Sequence, residues 1–203
     1  MDKLDLRKEL KHLYTSPTKP NIINVPKAKF LAITGRGEPG GEAYRSALNA
    51  LYTVAYTIKF KTKAQGKDFT VMGLEGLWWW DKPVTRLSEA PPREEWNWKS
   101  MILQPDFITE EMVEAAKEEA KAKKGLKDID KIKLEAYEEG LSAQIMHIGP
   151  YSEEEPTIER LHAFIAENDF KMRLFHHEIY MSDHRRVPPE KWKTIIRQPI
   201  EKR

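Results

Sequence analysis

The chain has 203 residues, 34 of them basic and 32 acidic, for a formal net charge of +2. That balance supplies no overall field to draw the protein to nucleic acid or to an anionic membrane. There is no apolar run of about 18 residues to span a bilayer, and Met1-Asp2-Lys3-Leu4-Asp5 has no signal-peptide character. The absence of cysteine excludes disulfides, thiol nucleophiles and cysteine-ligated metals. A cytoplasmic protein of one sizeable domain or two fused small modules is expected, with six tryptophans, most of them between residues 78 and 98, as its compositional peculiarity.

Residues 4–14 carry Leu6, Leu10 and Leu13 at helical spacing, and a proline-containing connector runs to Pro20. Phe30–Thr34 is a strand candidate, followed by Gly35-Arg36-Gly37-Glu38-Pro39-Gly40. The glycines formally match G-x-G-x-x-G, yet Glu38 would face a pyrophosphate, Pro39 removes a backbone donor, and no series of βαβ units follows. A tight turn is the better reading. Tyr44, Ala47, Leu48, Leu51, Val54, Ala55 and Ile58 then make the apolar stripe of a long helix.

A strand is predicted over Phe69–Trp80, with Met72, Leu74, Trp78 and Trp80 on one face and Glu75, Leu77 and Trp79 on the other. Asp81–Glu95 is too rich in proline and charge for a strand and reads as a long hairpin loop. Trp96–Ile102 returns as a strand. Thr109 caps a helix with Glu110 and Glu111 in its first turn, Ile108 and Val113 placed as a staple, and Gly125 as its stop. Charge nearly all round makes it a linker helix, and Lys121-Ala122-Lys123-Lys124 at its end a solvated run.

The second half repeats the first. Strands at Ile132–Tyr137 and Leu141–Ile148 precede Gly149-Pro150-Tyr151, and Ser152–Glu155 matches a capping box before a helix carrying Ile158, Leu161, His162 and Ile165. Strands at Arg173–Ser182 and Trp192–Gln198 close the chain. The boundaries are an N-terminal helix and connector over 1–20, a first module over 21–108, a linker helix over 109–125 and a second module over 126–203. The fold class is therefore α+β: two tandem strand-helix-strand-strand modules in one antiparallel sheet, helices on one face and a ligand cleft on the other.

The functional residues concentrate in His176-His177-Glu178-Ile179-Tyr180. As a strand it puts Phe175, His177, Ile179 and Met181 on an apolar face and His176, Glu178 and Tyr180 on the opposite one. A mid-strand carboxylate is costly to bury without an offset. A ligand could supply it, and so could a structural partner such as Arg197 or a lysine. Aligning the two halves brings Glu75 into the place of Glu178, so Glu75, Leu77, Trp79, Trp98, Tyr137, His176, Glu178 and Tyr180 are the cleft candidates. Such a lining suits a flat aromatic or cationic small molecule, gaining about 0.5–2 kcal/mol from a cation over a ring and roughly 0.5–1.5 kcal/mol from stacking. The alternative is that these aromatics are cross-strand pairs holding a hairpin. No H-E-x-x-H and no G-x-S-x-G occurs, and His176 and His177 point apart, so neither a metal nor any other cofactor is expected.

Lys8–Lys11, Ala50-Leu51-Tyr52, Glu75-Gly76-Leu77-Trp78-Trp79, Trp96-Asn97-Trp98-Lys99, His147-Ile148-Gly149-Pro150-Tyr151 and Glu178-Ile179-Tyr180 together resemble the GyrI-like small-molecule-binding family. The resemblance spans nearly the whole chain and is closest to a stand-alone subfamily of cyclopropanoid cyclopropyl hydrolases. It implies an acidic residue in the ligand cleft, at Glu178, and an aromatic cage that holds DNA-alkylating compounds while their cyclopropane is opened by water. On that basis Glu178 and Tyr180 are the expected catalytic residues, and Glu75, Trp79, Trp98, Tyr137 and His176 the ligand-binding ones. No nucleic-acid or membrane partner is expected, and the chain should be a monomer or weak homodimer. Alternatives are a protein that sequesters drugs or metabolites without chemistry and, at a greater remove, a protein inhibitor of DNA gyrase.

Overall fold

The apolar stripe and the glycine turn before it meet their expectations. In the computed structural model, which describes residues 3–81 and 89–203, a strand over Ala28–Arg36 runs into a turn where Gly37 and Gly40 take φ +124° and +77°. Those left-handed values are open only to glycine at little cost. The Gly37 and Gly41 amides are spent on the carbonyls of Trp96 and Glu38, so the loop is a turn and not a phosphate cradle. The helix over Glu42–Ala64 follows, burying Ala47, Leu51, Val54 and Ile58 on one side.

In chain order the elements are α1 (Leu6–Glu9), β1 (Asn21–Val25), β2 (Ala28–Arg36), α2 (Glu42–Ala64), β3 (Glu75–Trp79), β4 (Asn97–Gln104), α3 (Glu110–Lys124), β5 (Lys133–Tyr137), β6 (Gly140–Ile148), α4 (Glu155–Glu167), β7 (Phe170–Met172), β8 (His176–Tyr180) and β9 (Lys193–Lys202). The described strands form one nine-stranded sheet in the order β1-β6-β9-β8-β3-β4-β2-β5, with β7 added to β9. Every pairing is antiparallel. The units β2-α2-β3-β4 and β6-α4-β8-β9 meet at the β3–β8 pairing in the middle of the sheet. Each unit's outer edge is covered by the strand preceding the other, β1 on β6 and β5 on β2, so that these two five-residue strands are the edges of the sheet.

Helices α2 and α4 lie on the same face. Leu31, Ile33 and Ile102 underlie α2, while Ala143, Ile145 and Ile196 meet Ile158, Leu161 and Ile165 of α4. The opposite face carries α1 and the chain just after it.

Several local expectations are corrected. The first helix is four residues long, capped by Asp5, and the chain leaves it by turns at Leu10–Tyr14. The strand β1, Asn-Ile-Ile-Asn-Val with Pro26 beyond it, had no sequence reading. The strand expected over Phe69–Trp80 forms only at Glu75–Trp79. The capping box at Ser152–Glu155 does not form: Tyr151–Glu153 is a 3₁₀ turn, and α4 begins at Glu155 with Pro156 in its first turn and no side-chain cap. Thr109 and Gly125 do bound α3. It is less solvated than its charge suggests, because Val113, Ala116, Ala120 and the stem of Lys117 pack inward beside α2. Of the proline-rich loop expected over Asp81–Glu95, residues 82–88 lie outside the described residues; Arg93–Glu95 form a 3₁₀ turn.

Candidate functional site

Strand register decides which of the expected residues share a face. Glu178 stands opposite Gly76 on β3 and Ile196 on β9, His176 opposite Trp78, and Tyr180 opposite Thr194. Trp78 in turn pairs with Trp98, and Gly76 with Ser100. Because residues directly opposite in a sheet point to the same side, His176, Glu178, Tyr180, Trp78, Trp98, Ser100 and Thr194 all lie on the face that bears α2 and α4. They form the floor between the two helices, which corrects the expectation that these residues face a cleft on the helix-free side: the pairing with Gly76, Ser100 and Ile196 turns them toward α2 and α4.

Glu178 is held from both sides. Its Oε2 accepts the Tyr180 hydroxyl at 2.8 Å and its Oε1 lies 3.2 Å from His176 Nε2. The Trp78 indole N–H donates to the Tyr180 oxygen at 3.2 Å, completing a chain of donors that ends on the carboxylate. Close approach here needs Gly76: a Cβ at that position would come within 3.0 Å of Trp78 Nε1 and 3.2 Å of the Tyr180 oxygen.

Aromatic walls rise on both sides. From α2, Tyr44 meets Trp98 edge-on at 5.1 Å and Trp78 at 5.6 Å. From the turn before α4, Tyr151 meets Tyr180 edge-on at 5.5 Å and Trp192 at 4.9 Å. Trp98 is 2% exposed, lying under Tyr44 and against Gly35, where any Cβ would strike its ring. It is the packed base of the wall, while Tyr151 is 40% exposed at the mouth.

A second carboxyl belongs to this site. Glu154 is 4% exposed, and burial together with the negative charge of Glu178 pushes its pKa up to about 10, so it holds a proton at neutral pH. Burial raises Tyr44 and Tyr180 well above the ordinary tyrosine range, with Glu178 adding to both, and lifts Tyr151 to about 12. All three phenols are therefore neutral donors. Burial, reinforced by His176, lowers His162 of α4 to about 4. One charged carboxylate thus faces neutral donors and one neutral acid.

Polar atoms are left over. Trp98 Nε1, Ser100 Oγ, Glu154 Oε1 and Thr194 Oγ1 are buried without a hydrogen-bond partner among the described residues. Ser100 and Thr194 sit near enough to Tyr44 and Glu154 to temper their pKa values, but not in bonding geometry. Buried polar groups are nearly always satisfied. Four unsatisfied ones on one side of the sheet, beside a carboxylate, mark a place where a ligand or its water would bind.

The sequence-predicted set divides. His176, Glu178, Tyr180 and Trp98 come together between the helices, while Glu75, Leu77, Trp79 and Tyr137 lie on the opposite face. Trp79 packs on Phe175 at 4.5 Å, and Tyr137 meets Phe30 edge-on at 6.5 Å. Glu75 is 2% exposed and accepts the Tyr14 hydroxyl at 2.7 Å. His177, expected under a helix on an apolar face, joins it there: its Nε2 is 3.1 Å from Glu75 Oε2, close but out of line for a hydrogen bond. Its Nδ1 is 2.9 Å from Glu139. Arg197, weighed as a structural partner for Glu178, pairs instead with Glu139 at 3.0 Å. Sequence reasoning missed Tyr44, Trp78, Tyr151, Glu154 and Trp192. The available signals were Gly149-Pro150-Tyr151, taken as part of the family resemblance, and the acidic run after it, read as a helix cap.

The profile of the GyrI-like small molecule binding domain matches residues 104–201. An uncharacterized conserved protein from Listeria innocua is 42% identical to the chain over 98% of it and 100% of its own length, with a TM-score of 0.91. A hydrolase from Listeria innocua is 41% identical over the same shares, with a TM-score of 0.86. The EcmrR C-terminal domain, 12% identical, shares the fold alone, covering 91% of this chain and 98% of its own at a TM-score of 0.63. No curated protein matches. Residues 104–201 of the chain thus match the GyrI-like small molecule binding domain.

Proposed function

We propose that the chain binds a flat, electrophilic aromatic molecule between α2 and α4 and hydrolyses its activated cyclopropane. The observation that carries this reading is the pairing of Glu178, held by Tyr180 and His176, with the protonated Glu154 inside an aromatic cleft whose buried polar atoms are unsatisfied. The hydrolases among its relatives of about 41% identity add weight.

In the reaction Glu178 takes a proton from water as the water oxygen bonds to the ring methylene. The strained carbon–carbon bond breaks, and its electron pair moves through the conjugated system onto the carbonyl oxygen. Glu154 supplies the proton that this oxygen gains, and solvent exchange restores both carboxyls. The net change is addition of one water. Tyr44 and Tyr151 stack or edge against the flat substrate. A positioned base is typically worth about 10²–10⁴-fold, and opposite protonation states in neighbouring carboxyls are the usual arrangement for acid–base work.

The test is incubation with a cyclopropane-bearing alkylator in large excess over protein, followed by mass spectrometry. Many water adducts per protein, lost in Glu178→Gln, support the hydrolase. Saturation at one equivalent would make the protein a binder that sequesters its ligand without chemistry.

A further inference from the structure

The sequence carries His147-Ile148-Gly149-Pro150-Tyr151 a few residues before the buried acid, and the hydrolase reading uses only its last residue. His147 lies on β6 opposite Thr194, which turns it to the helix-bearing face, and it is 5% exposed. The chain reverses just beyond it at Gly149, where a Cβ would stand 3.3 Å from the imidazole Nε2. The ring lies against the turn that brings Tyr151 and Glu154 to the cleft.

Both ring nitrogens are engaged. Nε2 is 3.2 Å from the Pro150 carbonyl oxygen, and Nδ1 is 3.0 Å from the Thr157 hydroxyl. A carbonyl can only accept, so Nε2 carries the hydrogen, and the neutral ring offers Nδ1 as acceptor to the Thr157 O–H. The Thr157 oxygen in turn accepts from Arg160 Nη2 at 3.2 Å. Donors thus run one way, from α4 through the imidazole to Pro150. Glu154 sits between the two points that the ring holds. The Glu153 amide returns to the Pro150 carbonyl, the Glu154 amide to that of Tyr151, and the Thr157 and Ile158 amides both close on the Glu154 carbonyl. No side chain caps α4, so His147 supplies from β6 an anchorage that a cap would otherwise give the first turn.

We propose that His147 is a positioning residue of the cleft, its imidazole tying the Pro150 carbonyl to the Thr157 hydroxyl so that Tyr151 stays at the mouth and the Glu154 carboxyl stays buried. The effect on rate rests on the hydrolase reading; the effect on Glu154 does not, because a slack turn would hydrate that carboxyl whether or not it donates a proton. Among the described residues, the groups that bear on Glu154 are Glu178 and Tyr180 of β8, Tyr151 of its own turn and the Thr194 hydroxyl of β9, none of them a cation. Burial does most to keep the proton on Glu154, with the negative charge of Glu178 second. Admitting water therefore lowers its pKa.

The ionisation of Glu154 is followed by carbon-13 NMR on protein labelled at the glutamate carboxyls, its signal assigned as the one missing from Glu154→Gln. The parent midpoint is expected at about 10. It should fall by about one pH unit or more in His147→Phe, which keeps a ring and removes both contacts. It should fall in the same direction in Thr157→Val, while Thr157→Ser restores the parent value. The alkaline limb of kcat/KM, which reports the free enzyme, should move down with the midpoint. A midpoint unmoved in both folded variants would overturn the proposal, and so would an equal fall in Thr157→Ser and Thr157→Val. If His147→Phe does not fold, as judged by its amide spectrum, the two Thr157 variants decide alone. A lowered midpoint in a protein that never turns over a cyclopropane-bearing alkylator would uphold the role of His147 and remove the hydrolase reading instead.

Discussion

Gly76 lies directly across from Glu178 in the β3–β8 pairing, and no side chain stands between the carboxylate's supporters and the strand beside it. That gap is what Trp78 and Tyr180 fill. In Gly76→Ala the new methyl would sit 3.0 Å from the Trp78 indole nitrogen and 3.2 Å from the Tyr180 oxygen, both tighter than ordinary contact. One of them must swing away, breaking the donor chain to Glu178. Turnover or ligand affinity should fall about tenfold or more, since misplacement of a supporting group by a fraction of an ångström is felt in the reaction, while the thermal midpoint moves little. An alanine variant with unaltered kinetics would mean that the Trp78–Tyr180 contact is idle.

Adjacent tryptophans should behave oppositely. Trp78 donates to Tyr180 on the helix-bearing face, and Trp79 packs on Phe175 behind it. Trp78→Phe keeps most of the packing and removes one donor, so the rate should drop about tenfold, the equivalent of roughly 1.5 kcal/mol for one buried hydrogen bond. Trp79→Phe should leave kinetics unchanged. The comparison is made by steady-state turnover of the two purified variants. Loss on the Trp79 side would move the binding site to the other face.

The same pair of tryptophans explains what was legible in the sequence. The α2 stripe and the Thr109 and Gly125 ends of α3 are local signals borne out in the fold; the alternation around Glu178 also holds, but with the faces exchanged, Glu178 turned to the helix-bearing side and His177 away from it. Which face of β3 joins Glu178 is not local. It depends on register across the β3–β8 junction, and a shift of one residue exchanges every side chain between faces. Aligning Glu75 with Glu178 by their chemistry put Trp79 in the cleft; the register aligns Gly76 instead and brings Trp78. Glu154 was hidden for a related reason. An acidic residue just before a helix reads as a cap, and only the tertiary approach of Glu178 shows that it is buried and protonated.

Glu154 has a measurable signature in stability. Its pKa, near 4.5 when unfolded, is raised to about 10 by burial and by Glu178. A raised folded pKa favours the folded state fully only below the unfolded value, and the advantage is lost as pH climbs toward 10. Glu154→Gln keeps the shape of the neutral acid and cannot ionise in either state. Its thermal midpoint should match the parent near pH 4 and exceed it progressively from pH 6 to 9. If Glu154 is also the proton donor, the same variant loses turnover while gaining stability, an opposition that a purely structural residue would not produce. Parallel melting curves for the two proteins would expose the absence of any such divergence.

The buried network behind the sheet should dominate both ends of the remaining pH profile. For His177, burial lowers the pKa, but the charge and hydrogen bond of Glu139, with the nearby carboxylate of Glu75, outweigh it and set the value at about 9. For Glu139, burial raises the pKa and is outweighed by His177 and Arg197, leaving it at about 2. The His177 contribution is complete below its unfolded value of about 6.5 and disappears as pH rises through 9; the Glu139 contribution is complete above about 4.5 and disappears as pH falls through 2. Measured in a Glu154→Gln background, so that the other carboxyl is silent, thermal stability should hold between pH 4.5 and 6.5 and decline on either side. Arg197→Met in that background leaves Glu139 with one cation and the Leu13 carbonyl without its donor. Removing one partner of a buried pair typically costs about 3–5 kcal/mol, so its melting transition should shift down by many degrees at every pH. A variant as stable as its parent would show that the network is held by packing and not by charge.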